Sequence, residues 1–159
     1  MKYCVVLKFL RKLNFVSYVC TITTTAFVLE MLAGLAVHKF QNYNGIQNQS
    51  TKLLVLTAIF VSPIIETCIA QWIPYETLGR FGFGDKTRFF VCWTIFVVLH
   101  LSNGAGSSLV AGFVGGFFLT LTYYIWRNVS VSAAFIATVV CHSINNILAL
   151  AIIYGSGLA

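Results

Sequence analysis

Residues 130–155 read SVSAAFIATVVCHSINNILALAIIYG, a run without Lys, Arg, Asp or Glu that carries the polar pattern HSINN near its middle. A transmembrane helix needs roughly 20 predominantly apolar residues, so this run is long enough to cross a bilayer. A charged side chain at the centre of such a helix costs about 2.5–3.5 kcal/mol, and ionisable groups there are interpreted as functional by default. The run therefore predicts a membrane-spanning helix that carries part of a functional site.

The rest of the chain has the same character. Of its 159 residues, 58% are hydrophobic and 9% are charged, whereas a soluble domain has about 25% charged residues. We therefore expect an all-α fold, a polytopic transmembrane helical bundle of about five spanning helices. It forms a single membrane-embedded domain over 1–159 with a core at about 52–155. The expected helices are 13–37, 52–74, 88–103, 107–126 and 130–155.

The basic residues predict orientation. The net charge is +6, from ten Lys and Arg against four Asp and Glu. These residues flank the apolar segments, which indicates anchoring in the lipid bilayer and not binding to nucleic acid. With five helices, Lys39 and Lys52 fall on one side and the other basic residues on the opposite side. The positive-inside rule then predicts a cytoplasmic N-terminus.

Three polar patterns inside the apolar helices are the candidate site: Glu66 in PIIET, His100 in FVVLH, and His142 with Asn146 in HSINN. Each lies within a few residues of the expected bilayer centre, so three helices bring polar groups to one depth. His142 and Asn146 are four residues apart and share a helix face, as do Phe96 and His100. A carboxylate beside an imidazole is suited to take a proton from water, and His142 and Asn146 offer donors for an oxyanion. The pattern indicates a water-activating hydrolase.

Packing provides a second interpretation of several residues. A single His or Asn in a transmembrane helix often only hydrogen-bonds a neighbouring helix. Gly112 and Gly116, four residues apart, predict a packing face that permits close approach of another helix. Pro63 lacks an N–H and predicts a kink one turn before Glu66.

The motifs resemble those of the CPBP intramembrane proteases, also called the Abi family, which include the CAAX prenyl endopeptidase Rce1. Members carry EExxxR on one helix, FxxxH on a second, and HxxxN or HxxxD on a third. FVVLH, from Phe96 to His100, matches the second motif, and HSINN, from His142 to Asn146, matches the third. A Gly-rich helix and a short basic turn link them in the family's order. The resemblance covers about residues 60–150.

The resemblance implies an intramembrane endopeptidase with assigned roles. Glu66 matches the first glutamate of EExxxR and is implied to be the general base, with His100 as its partner. His142 and Asn146 are implied to stabilise the oxyanion. The expected substrate is a peptide or a membrane protein. This glutamate-type mechanism needs only water, so no cofactor is expected; zinc, which one Glu, two His and one Asn would also suit, is the less favoured alternative.

The first motif departs from the family pattern. Thr67 stands where the family has its second glutamate, and Gln71 stands where it has the arginine. Because these residues are four apart, we expect a neutral hydrogen bond between them to replace the family's ion pair. Pro63 fits the family's usual approach to this motif.

Other functions remain open at this stage. A non-catalytic CPBP-like protein acting in bacteriocin self-immunity, or as a partner-binding scaffold, would tolerate the altered first motif. A serine intramembrane protease would use Ser107 or Ser108 in GAGSS with His142, although a small-residue turn explains that pattern better. A transporter or channel subunit would need polar residues along a path, whereas here they cluster in one layer.

Overall fold

The computed structural model describes residues 5–37, 51–101, 106 and 108–155, which are almost entirely helical. The all-α prediction is confirmed, and these residues contain no strand. A short helix α1, Val5–Leu10, was not anticipated. The longer helices are α2 (Phe15–Val37), α3 (51–80), α4 (Asp85–Leu101), α5 (108–126) and α6 (Val131–Gly155).

Four helices within the described ranges are long and apolar enough to cross a membrane, which identifies an integral membrane protein. They cover Phe15–Leu35, Thr57–Arg80, Leu109–Trp126 and Val131–Ile152. The fifth expected span corresponds to α4, which has 17 described residues and a length of about 25 Å. Large apolar side chains are exposed along these helices, as expected where lipid covers them.

The helix α3 changes its winding twice, each time just before a proline. π-helical turns cover Thr57–Val61 and Cys68–Trp72. Pro63 and Pro74 follow each turn by two residues, at the start of the next α-helical segment. A proline donates no backbone hydrogen bond and its ring crowds the preceding turn. The wider π turn accommodates that ring and keeps α3 continuous, so the kink expected at Pro63 takes the form of a local widening.

The predicted end of the second helix was wrong. We expected the helix 52–74 to end in a loop around Pro74, whereas α3 continues to Arg80 and α4 begins at Asp85 instead of residue 88. Pro74 lies in the first turn of an α-helical segment, where a missing N–H is tolerated. The reversal is confined to the four residues between α3 and α4, where Gly82 has φ +80°, a conformation that favours glycine.

The glycines of α5 form the predicted packing face. A Cβ added at Gly112 would lie 3.1 Å from the Cβ of His100, and one added at Gly116 would lie 2.7 Å from Cδ1 of Phe96. The absence of side chains at these positions therefore permits α4 to pack directly on the backbone of α5. This contact sets the position of the FxxxH motif.

An ion pair joins Glu76, near the C-terminal end of α3, to Arg127, which directly follows α5. Arg127 donates through Nε to Oε1 of Glu76, and through Nη2 to Oε2 at 2.9 Å. The hydroxyl of Tyr123 donates to Oε1 at 3.1 Å. The hydrogen bonds to Glu76 raise the pKa of the Arg127 guanidinium above its usual value. Such a two-point Arg–carboxylate pair fixes geometry as well as supplying energy, and it holds the helix ends together.

Candidate active site

Three of the polar residues singled out in the sequence come together from three helices. Oε2 of Glu66, on α3, lies 3.9 Å from Nε2 of His100 on α4 and 3.7 Å from Nε2 of His142 on α6. The side chain of Glu66 is 28% exposed, and those of His100 and His142 are 13% and 7% exposed. The site is therefore largely buried: Glu66 is its most exposed member, although its Oε2 is itself buried and has no hydrogen-bond partner among the described residues.

The orientation of His100 follows from the FxxxH spacing. Its Nδ1 lies 3.0 Å from the carbonyl oxygen of Phe96, one helical turn earlier. Because a carbonyl only accepts, Nδ1 carries the hydrogen and donates it. In the neutral imidazole Nε2 then carries the lone pair. His100 therefore presents a hydrogen-bond acceptor toward Glu66.

The ring of Phe96 forms one wall of the site. It stacks on the His100 imidazole, with centroids 4.6 Å apart and planes 22° apart, and its centroid lies 5.7 Å from that of His142. Phe96 itself is 1% exposed. A buried aromatic ring in contact with both imidazoles restricts their rotamers, and the supporting role expected of Phe96 stays a prediction.

Asn146 makes a contact that the sequence did not reveal: its Nδ2 donates to the carbonyl oxygen of Ala58 on α3 at 2.8 Å. Ser62 N–H bonds to Thr57 O, five residues back, in the π-helical register. In that register the next residue, Pro63, would serve Ala58 O, but proline has no N–H. Asn146 supplies the missing donor to this carbonyl, and one amide hydrogen remains for another partner.

Thr67 and Gln71 do not form the expected hydrogen bond with each other. Both side chains are 0% exposed, and the hydroxyl of Thr67 and both amide atoms of Gln71 lack hydrogen-bond partners in the described part of the chain. The π turn over Cys68–Trp72 begins directly after Thr67 and contains Gln71. A π turn contains more residues than an α turn, so a spacing of four no longer aligns the two side chains.

The sequence interpretation missed a second buried polar pair. Glu30 on α2 is 6% exposed, and its two carboxylate oxygens lie 3.0 and 2.8 Å from Nδ2 of Asn145 on α6. Both residues carried the signal that identified Glu66, namely a polar group inside an apolar span. Asn145 stands within HSINN itself, between the two residues that matched the family motif.

Two expectations lie partly beyond what the structure describes. Ser107 and the side chain of Ser108 fall outside the described residues, so the serine-protease alternative is not addressed. Within the described ranges, no group of three His, Cys, Asp or Glu side chains is arranged to hold a metal ion. The expectation of a metal-free site stays a prediction.

The chain matches a known protein family. The family described as type II CAAX prenyl endopeptidase Rce1-like matches residues 48–148, a range that includes α3, α4, α5 and the HSINN segment of α6. Searches of curated proteins and of solved structures each gave no match. The family match covers well over half of the chain and contains Glu66, His100, His142 and Asn146. The chain therefore belongs to the Rce1-like family of type II CAAX prenyl endopeptidases.

Proposed function

We propose that this protein is an intramembrane endopeptidase in which Glu66 and His100 activate water to hydrolyse a peptide bond. The family that matches the chain is described as a prenyl endopeptidase, which supports a peptide or a membrane protein as the substrate. The family description names prenylated CAAX sequences, so a farnesylated CAAX peptide is the first substrate to test.

The observation that carries the proposal is the pair of hydrogen-bond acceptors directed at one point. Oε2 of Glu66 and Nε2 of His100 are 3.9 Å apart, and the bond from His100 to Phe96 leaves Nε2 as an acceptor. This separation suits a water molecule about 2.8 Å from each atom, which a small side-chain movement would admit to the buried Oε2. It would donate one hydrogen to each acceptor, which directs its oxygen lone pairs outward toward a substrate carbonyl.

The reaction then proceeds in two balanced steps. The water oxygen forms a bond to the carbonyl carbon while Glu66 takes a water proton, which gives a tetrahedral oxyanion. The carbon–nitrogen bond breaks as Glu66 returns that proton to the leaving amine. The products are one fragment with a new carboxyl group and one with a new amine, and no atom is oxidised or reduced.

His142 and Asn146 supply the donors for the oxyanion. Nδ1 of His142 is buried without a hydrogen-bond partner among the described residues. An orphaned N–H is rarer in proteins than an orphaned acceptor, which favours the tautomer with hydrogen on Nε2, 3.7 Å from Glu66. Asn146 contributes the amide hydrogen that Ala58 does not use. Removing one such donor typically lowers kcat by about 10²–10³-fold.

The test compares acid-to-amide substitutions at two carboxylates. Purified protein in lipid bilayers is incubated with a farnesylated CAAX peptide, and the products are identified by mass spectrometry. Glu66→Gln should lower turnover by at least the 10²–10⁴-fold typical of a general base. Asp85→Asn is the matched control, because Asp85 is 61% exposed at the start of α4 and should retain activity. Equal activity of Glu66→Gln and wild type would contradict the proposal.

A second experiment addresses an unknown natural substrate. Membrane peptides are compared between cells that carry the wild type and cells that carry Glu66→Ala. A specific uncleaved precursor in the variant cells identifies the substrate. Because the mechanism needs only water, we also expect the chelator 1,10-phenanthroline to leave the cleavage rate unchanged.

The second candidate function is non-catalytic, as an immunity protein or a partner-binding scaffold. The observation that favours it is the pair of unpartnered buried side chains, Thr67 and Gln71, at positions where the family has charged residues. If the biological effect survives both Glu66→Gln and Glu66→Ala, this second function replaces proteolysis.

A further inference from the structure

We propose that Glu30 is a positioning residue: paired with Asn145 as a neutral carboxylic acid, it fixes the rotation of α6 and so the direction of His142 and Asn146. The proposal rests on the proposed function, because it concerns the same site. Its central test, however, needs no substrate.

Glu30 reaches the site helix from outside the family core. It lies on α2, which precedes the matched residues 48–148. Its carboxyl group is 2.8 and 3.0 Å from Nδ2 of Asn145. A Cβ added at Gly115 would lie 2.5 Å from Oε1 of Glu30, so the glycine backbone of α5 forms the other side of this contact. The carboxyl group is therefore held between α5 and α6.

The surroundings favour the neutral form of Glu30. Within the described part of the chain, Asn145 is its polar partner and no Lys, Arg or His pairs with it. The adjoining cavity has a volume of only about 10 Å³ and is lined mostly by apolar side chains, which is room for at most one water molecule. An isolated carboxylate in such a medium is costly and becomes neutral instead.

The neutral acid also completes the hydrogen bonds of Asn145. Oδ1 of Asn145 is buried and has no partner when Nδ2 faces both oxygens of Glu30. A protonated carboxyl group has one O–H donor and one acceptor, which are complementary to a primary amide. When the amide turns so that Oδ1 faces one carboxyl oxygen, the acid O–H donates to Oδ1 and Nδ2 donates to the acid carbonyl. Both groups are satisfied without a charge in the membrane.

This pair controls the rotation of α6 together with Asn146. Adjacent helical residues point about 100° apart, and Asn145 bonds to α2 while Asn146 bonds to Ala58 on α3 at 2.8 Å. Two bonds to different helices oppose rotation in both directions. A 10° rotation moves an atom about 6 Å from the helix axis by about 1 Å. A displacement of that size can lower catalytic rate about 10²-fold.

The test follows the imidazole ¹⁵N NMR signals of His142 and His100 in lipid bicelles. Glu30→Gln keeps a neutral partner for Asn145 and should leave both rings as in the wild type. Glu30→Leu removes the hydrogen bond and should shift the His142 signals while those of His100 stay. Ile22→Ala is the matched control. It removes buried packing from α2 beside the same cavity and should lower thermal stability without shifting His142 selectively.

Three results would overturn the proposal. If Glu30→Gln shifts His142 as Glu30→Leu does, the pair is not neutral. If Glu30→Leu leaves His142 unchanged, the pair does not position it. If Glu30→Leu and Ile22→Ala shift both histidines alike, the contact is only structural. Should Glu30→Leu fail to fold, Asn145→Ala removes the same bond from α6 and is judged by the same criteria.

Turnover of the farnesylated peptide is the second readout. Glu30→Leu should lower kcat about 10²-fold with little change in KM, and Glu30→Gln should restore it. If the wild type cleaves no peptide, the proposed function fails, whereas the selective shift of His142 still tests the role of Glu30. The two failures are therefore distinguishable.

Discussion

Gly116→Ala tests whether α4 is positioned by direct contact with the backbone of α5. The added Cβ would lie 2.7 Å from Cδ1 of Phe96, and 3.1 and 3.2 Å from its Cγ and Cβ. Carbon atoms pack at about 3.5–4.0 Å, so the buried ring must move by about 1 Å. Overpacking of this kind costs about 1–3 kcal/mol.

Gly34→Ala is the control, because a Cβ at Gly34 has no neighbour within 4 Å. Both variants gain the same helix propensity, about 1 kcal/mol, so their difference isolates the clash. For a chain of this size, a loss of 1 kcal/mol lowers the unfolding midpoint by about 2–4 °C. The midpoint of Gly116→Ala should therefore lie about 2–12 °C below that of Gly34→Ala. Thermal unfolding in detergent micelles, followed by circular dichroism, measures this difference. Equal midpoints for the two variants would refute the direct contact.

The clash also predicts a specific rescue. Phe96→Leu leaves room for the new methyl group, so adding it to Gly116→Ala should recover part of the lost stability. The coupling energy of the double-mutant cycle should be about 0.5–3 kcal/mol, the range for residues in contact. Additive effects of the two substitutions would show that the ring does not meet the added methyl group.

The remaining predictions concern hydrogen bonds and are measured by the same unfolding assay. Arg127→Lys should cost about 1 kcal/mol, because Lys cannot reproduce the two-point contact with Glu76 and the pair is partly exposed. Asn146→Leu should cost about 1–3 kcal/mol by leaving the carbonyl of Ala58 unpaired; an unchanged midpoint would show that this bond contributes nothing. Thr67→Val should be neutral or stabilising, because it removes an unpartnered buried hydroxyl and keeps the shape. A large loss would reveal a partner for that hydroxyl.

The sequence predicted the membrane fold and the meeting of Glu66, His100 and His142 for one physical reason. Ionisable side chains are costly in apolar helices, so those that persist are expected to pair with one another or to serve a function. The same rule applied to Glu30 and was overlooked, because no second residue near it in the chain completed a recognised motif. Its partner, Asn145, is 115 positions away, and only the packing of α2 on α6 brings the two together.

The local winding of α3 could not be predicted from the sequence. Pro63 and Pro74 predict disturbed helices, but they do not say whether the chain bends, stops or widens. The interpretation of Pro74 as the end of a helix failed because α3 widens over Cys68–Trp72 before it. The contact from Asn146 to Ala58 depends on the first π turn in the same way, since the turn decides which carbonyl Pro63 leaves unpaired.

The HSINN segment shows how α6 is held in place although Thr67 and Gln71 on α3 make no bond with each other. The hydrophobic effect does not drive helices together in a membrane, so polar bonds and close van der Waals packing decide their rotation. His142 faces Glu66, Asn145 bonds to Glu30 on α2, and Asn146 bonds to the backbone of α3. One helical turn of α6 is therefore tied to α2 and to α3, next to His142. With α6 held from these two sides, we expect His142 to keep its orientation without a bond between residues 67 and 71.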